Sequence, residues 1–124
     1  MKGIPTYIMS NDEMTYWLAT TDAKLTFIGE SINPLSSRSA QTTTVTYCSA
    51  RIDDVCGGAC TVYTGGATCL NARNTNCLAA TNNVGFCDQS GCVGSCNELS
   101  TCGTKLSDNY CYTPGTNSIA VSNA

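Results

Sequence analysis

Ten cysteines, Cys48, Cys56, Cys60, Cys69, Cys77, Cys87, Cys92, Cys96, Cys102 and Cys111, are confined to one stretch of a 124-residue chain, and none precedes Cys48. An even number of cysteines at such short spacings reads as a disulfide framework formed in an oxidising compartment. Thiolate metal sites and redox centres use tighter motifs, C-x-C or C-x-x-C, because short loops gather sulfurs around one ion or one helix start. Neither motif occurs here. The closest pairs, Cys56/Cys60 and Cys92/Cys96, are C-x-x-x-C, and Gly57-Gly58 argue against the helix that would aim the first pair at one ion. All ten cysteines are therefore expected in five bridges, with no metal and no cofactor. Their connectivity stays open, because ten cysteines can pair in on the order of a thousand ways.

The rest of the composition explains why bridges are needed. After Cys48 the only aromatics are Tyr63, Phe86, Tyr110 and Tyr112, and the large aliphatics are scattered. A core that thin does little to offset chain entropy in so short a segment. Each bridge contributes about 2 to 4 kcal/mol by restricting the unfolded chain. The net charge is −3 and the six cations are dispersed. That excludes nucleic acid and insertion into anionic membranes, both of which need clustered positive charge or long apolar runs.

Composition changes near Gln41. Residues 1–40 read as a cysteine-free N-terminal extension, a leader, propeptide or mobile arm, and 41–124 as the disulfide-rich domain. The best candidate stretch of the extension, Leu25 to Ile28, is too short for a secretory leader. A secreted, extracellular location is thus expected from cysteine usage alone. Within the extension, Ser10 and Glu13 have capping-box spacing, with Met9 and Met14 placed as a hydrophobic staple, which predicts a short helix over 11–19. Its apolar stripe, Met14, Trp17 and Leu18, is too small to hold a helix in water, so it must dock or fray.

Residues 42–48 and 60–64 are rich in β-branched side chains and predict strands, the second stopped by Gly65-Gly66. Strand signals on either side of Pro114-Gly115, over 110–113 and 117–122, predict a C-terminal hairpin. Ser95 and Glu98, again at capping-box spacing, with Gly103 as a stop, predict a short helix over 95–103. Residues 71–83, rich in Asn, Thr and Ala without periodicity, predict a loop. The fold class expected is a small disulfide-rich domain, β-dominant with short strands, a C-terminal β-hairpin and one short helix.

No histidine is present, which removes the commonest general base and the orienting partner of Ser and Cys nucleophiles. Two placed carboxylates would suffice for glycoside hydrolysis. Asp53, Asp54, Asp88, Glu98 and Asp108 are available, but adjacent Asp53-Asp54 read better as a solvated turn, and so small a domain has little room for a cleft. No catalytic residue is assigned, and the chain is expected not to be an enzyme. Tyr63, Tyr110 and Tyr112 form the candidate binding face, since residues two apart in a strand point to the same side. Packing of Tyr110 and Tyr112 on the core competes with that assignment.

The run Cys56-Gly57-Gly58-Ala59-Cys60-Thr61-Val62-Tyr63, with Cys69-Leu70, Thr75-Asn76-Cys77-Leu78, Phe86-Cys87-Asp88 and Cys111-Tyr112-Thr113-Pro114-Gly115, resembles small secreted cysteine-rich proteins of mushroom-forming fungi. The resemblance spans about residues 41–124 and implies an effector-like or cell-surface-associated protein, with no particular activity attached. The chain lacks the Cys-Cys doublets of hydrophobins and hevein-type chitin binders. The expectation is a non-enzymatic protein that acts by extracellular binding to a protein or polysaccharide of unknown identity. The alternatives are a cell-wall polysaccharide-binding module and a self-assembling structural subunit that pairs through strand edges such as residues 42–47.

Overall fold

The computed structural model describes residues 8–29, 43–106 and 110–121. The Thr-rich run after position 42 forms β2 (Thr43–Ile52), and every residue from Thr43 to Cys48 is buried. Burial on both faces means a central strand. β2 lies between β3 (Val55–Gly65) and β4 (Thr68–Ala80) in a seven-stranded sheet. The other strands are β1 (Lys24–Gly29), β5 (Gly85–Gln89), β6 (Val93–Glu98) and β7 (Cys111–Val121), in the order β1-β3-β2-β4-β7-β5-β6. Neighbouring strands run antiparallel except β1, which lies parallel to β3. Residues 43–47 are therefore interior and present no free edge for assembly. Their backbone groups are engaged by β3 on one side and β4 on the other, and the outermost of the described strands are β1 and β6.

The sheet divides the core in two. One cluster holds Val45, Tyr47, Leu78, Ala80, Leu99 and Ile119. The other holds Cys48, Cys60, Cys77 and Ala79 together with Met9, Met14, Leu106 and Tyr110. Side chains alternate between the two along β2 and along the end of β4, as a period of two requires. The buried threonines of β2 find partners for their hydroxyls: Thr44 and Thr64 meet across β2 and β3 at 3.2 Å, and the Thr46 hydroxyl donates to the Met14 sulfur at 3.2 Å.

The cysteine-free segment belongs to the same fold. Helix α1 (Asn11–Thr20) starts at a reciprocal capping box, with the Glu13 N–H donating to the Ser10 hydroxyl and the Ser10 N–H to the Glu13 carboxylate. Met9 and Met14 are buried as the staple pattern predicts. The helix docks rather than frays, because Met14, Trp17 and Leu18 pack on the second cluster. The Met9 N–H donates to the Ala80 carbonyl at 2.9 Å, and β1 extends the sheet beyond β3. Within the described residues the segment is thus an integral layer of the domain. The compositional change near Gln41 lies outside them.

Five disulfides use all ten cysteines. Cys48–Cys60 and Cys87–Cys96 each join directly paired residues of neighbouring strands. Cys56–Cys77 links β3 to β4 across the intervening β2, Cys69–Cys92 ties β4 to the β5–β6 turn, and Cys102–Cys111 anchors the start of β7. In both C-x-x-x-C segments the second cysteine closes its own hairpin and the first reaches another strand. The domain is a small, disulfide-rich, β-dominant fold, as the composition implies.

Three local expectations are overturned by tertiary pairing. Residues 71–80 are strand, not loop: β4 pairs with β7 along most of its length and with β2 near its end. A bulge at Asn74, where φ is +61° and the N–H donates to Asn117 at 3.2 Å, interrupts the strand, and beyond it Cys77 to Ala80 are buried on both faces, so no single period runs through the segment. The C-terminal segment is one strand, not a hairpin, because β4 lies alongside all of β7. Pro114-Gly115 bulge outward from β7, closed by a Thr116 hydroxyl donating to the Thr113 carbonyl at 2.8 Å. The two bulges compensate, so the β4–β7 register is the same on either side of them. Residues 95–98 are strand, not helix: they pair with β5 through Cys87–Cys96, and only Leu99–Thr101 forms a 3-10 turn. The Ser95 N–H donates to Asp88 and the Glu98 carboxylate accepts from Asn83, so the two do not form a capping box.

Candidate functional site

Where α1 ends and β1 has not yet begun, the sheet has a notch. Strand β1 covers β3 only from Ala59 onward, which leaves the Val55–Gly58 end of β3 without an outer neighbour among the described residues. Trp17 and Thr20 of α1, the link Thr21 to Ala23, Lys24, and the β2–β3 tip at Ile52 and Val55 to Gly58 enclose a groove of about 560 Å3 there. That volume falls within the range of small-ligand sites, roughly 300 to 1,000 Å3.

Each wall has a local cause. Trp17 is held by a tilted ring contact with Tyr110, centroids 4.6 Å apart. The helix stops beyond it when the Thr21 N–H donates to the Trp17 carbonyl, and the Thr21 hydroxyl then accepts from the Ala23 N–H at 3.1 Å, turning the chain toward β1. Opposite, Asp53 adopts φ +53° in the two-residue turn between β2 and β3, which lifts Ile52 and Val55 to 54 % and 42 % exposure. The floor is Gly57-Gly58. Gly58 has φ +82°, and a Cβ there would lie 2.9 Å from the Ala50 side chain, so only glycine fits.

The resulting surface is apolar along Trp17, Ile52 and Val55, with a polar rim of Thr20, Thr21, Asp22 and Lys24. Among the described residues the only ionisable lining groups are Asp22 and Lys24, since Cys56 is bridged to Cys77. The chemistry on offer is apolar contact, hydrogen bonding and charge at one end. The chain matches no family model, no curated protein and no solved structure.

The three tyrosines of the candidate face are not brought together. Tyr110 is fully buried. Tyr112 is half-buried beneath the Arg51 guanidinium, 4.7 Å from its ring centre, and Arg51 also meets Asp54 at 3.8 Å. Tyr63 belongs to the other core cluster, its hydroxyl donating to the Gly66 carbonyl at 2.8 Å. Tyr110 and Tyr112 both pack on the second core cluster, beside Met14, Trp17 and Leu18 of α1. Among the described residues no group of three or more His, Cys, Asp or Glu could hold a metal ion, and no helix is long and apolar enough to cross a membrane. The groove residues went unrecognised because they come from three separated segments. Two signals for them were visible in the sequence, a lone tryptophan one turn after a capping box and the Gly57-Gly58 pair.

Proposed function

We propose that this chain is a secreted, non-enzymatic binding protein, effector-like or cell-surface associated, whose groove beside Trp17 takes an apolar segment of an extracellular partner protein. The observation that carries this reading is the exposed apolar wall formed by Ile52 and Val55 opposite Trp17. Large apolar side chains at a turn tip gain nothing by exposure, and a concave apolar surface with a polar rim has the anatomy of a recognition site. Five disulfides, typical of extracellular proteins, hold the sheet that carries it. Preorganisation of that kind lowers the ordering cost of binding.

A cell-wall polysaccharide is the second reading, favoured by the Trp17 indole standing beside the hydroxyls of Thr20 and Thr21. An aromatic ring with nearby hydroxyls suits the apolar and hydroxylated faces of a sugar.

Trp17 is the only tryptophan in the chain, so its emission reports occupancy of the groove directly. Titration with soluble glucan and N-acetylglucosamine oligosaccharides should leave the emission unchanged if the ligand is protein. A saturable shift would select the polysaccharide reading. In parallel, immobilised wild-type protein and Val55→Asp are compared for capture from an extracellular protein fraction. The partner should be a discrete species lost with Val55→Asp and should shift Trp17 emission when purified. Equal capture by both forms would sink the proposal.

A further inference from the structure

The two ends of the sheet are built differently. The β6 edge carries Glu98, places Gly94 at φ +89°, and is tied back through Cys96–Cys87 and the Ser95 N–H bond to Asp88. These are devices that keep an edge from pairing with another chain. On the β1 edge such devices stand only at the ends, the charge of Lys24 at one and Gly29 at φ +79° at the other, and no disulfide ties the run between them back. It is an extended run, Lys24-Leu25-Thr26-Phe27-Ile28, paired to β3 on one side and to no described strand on the other. Phe27 and Ile28 are exposed, at 58 % and 40 %, and Leu25 is half-buried against the second core cluster.

We infer that β1 is a homodimer edge, pairing antiparallel with β1 of a second copy about a two-fold axis through Thr26. The occupant follows from self-complementarity. A two-fold axis normal to the sheet keeps each face continuous across the junction, so residues of like parity must oppose one another. From the β1–β3 register, Leu25 and Phe27 share the face of Cys60 and Val62, and Lys24, Thr26 and Ile28 share the opposite face. Centring the axis on Thr26 sets each Leu25 against the other copy's Phe27, an apolar pair made twice on the face that α1 covers. On the opposite face the two Thr26 meet, and each Lys24 stem lies over an Ile28. The two ammonium groups then sit four residues apart along the strands, roughly 13 Å, so no like charges oppose.

The next register of the same parity, centred on Phe27, needs Gly29 in the ladder opposite Leu25. Gly29 has φ +79°, outside the extended region, and brings no side chain to the pair. Parallel pairing would stack Lys24 on Lys24. The contact spans five residues per chain, well below a standard interface of about 1,600 Å2, so dimerisation is weak and concentration-dependent.

The test is sedimentation velocity of the full oxidised chain over a concentration series, with Thr26→Lys and Thr26→Glu. Thr26 is exposed, so both variants keep the monomer fold, which circular dichroism verifies. The wild type should rise from one 13.0-kDa chain toward two and stop there. Each variant alone should associate at least about tenfold more weakly, because like charges meet on the axis. An equimolar mixture of the two should restore the two-chain species. A wild type that stays monomeric, a mass that grows past two chains, a dimer indifferent to Thr26→Lys, or a mixture that fails to recover would each overturn the inference.

Discussion

The indole of Trp17 and the buried phenol of Tyr110 meet at 4.6 Å with their planes tilted by 41°, and this contact fastens the cysteine-free N-terminal layer to the disulfide-rich sheet. It also places Trp17 in the groove wall, so one pair of rings couples stability to the candidate site.

Trp17→Ala should therefore destabilise the oxidised protein by about 2 kcal/mol. That sums a ring-pair contribution of about 1 kcal/mol and the partial burial of a large side chain. Urea unfolding followed by circular dichroism measures it, since the fluorophore is lost. A change under about 0.5 kcal/mol would mean that the Trp17–Tyr110 contact does not hold α1 to the sheet.

The bridges should differ in worth. Cys56–Cys77 closes a loop with a sequence separation of 21 and Cys87–Cys96 one of 9. Chain entropy alone assigns them about 3.4 and about 2.7 kcal/mol. Cys56 and Cys77 are both buried, whereas Cys96 is exposed at the sheet edge, so paired alanine substitution at 56 and 77 should lower the urea midpoint more than at 87 and 96. The reverse order would place the stability of the sheet at its β6 end.

Burial raises the pKa of the Tyr47 hydroxyl above its ordinary value, a shift that its hydrogen bond with Thr61 partly opposes. The folded state thus favours the neutral phenol, and the unfolded chain releases the proton more readily. Stability from this group is fully present below about pH 10, the unfolded value, and is lost as pH rises through the folded pKa. Urea midpoints measured from pH 8 to 11 should fall at the alkaline end, and Tyr47→Phe should flatten that fall. An equal fall in Tyr47→Phe would assign it to other groups.

Asp53 at φ +53° occupies a region that a side chain with Cβ enters at a cost. Asp53→Gly should be neutral or slightly stabilising, while Asp53→Ala should cost about 1 kcal/mol relative to it. Since this turn sets the height of Ile52 and Val55, Asp53→Val should also alter Trp17 emission. Unchanged emission with lowered stability would separate the turn from the groove wall.

What the sequence by itself determined rests on short-range physics. The capping box needs only Ser10 and Glu13 three residues apart, and it forms as expected. The β-branched run ahead of Cys48 is strand because those side chains suit a pleated surface in any context. That every cysteine is bridged follows from their number and from a core too thin to stand without them. The tertiary structure decided the rest. β4 is a strand because β2 and β7 supply hydrogen bonds to both of its edges, although its end, buried on both faces, shows no period of two. β7 runs straight through Pro114-Gly115 because β4 lies beside it and a bulge takes up the residues that would otherwise turn. Residues 95–98 give up a helix start for a strand partner and a disulfide. Which cysteines pair, which tyrosines are buried, and where a groove opens between Trp17 and Val55 depend on strands distant in sequence being brought side by side. No local propensity carries that information, because the energy that selects it comes from contacts that exist only after the sheet has formed.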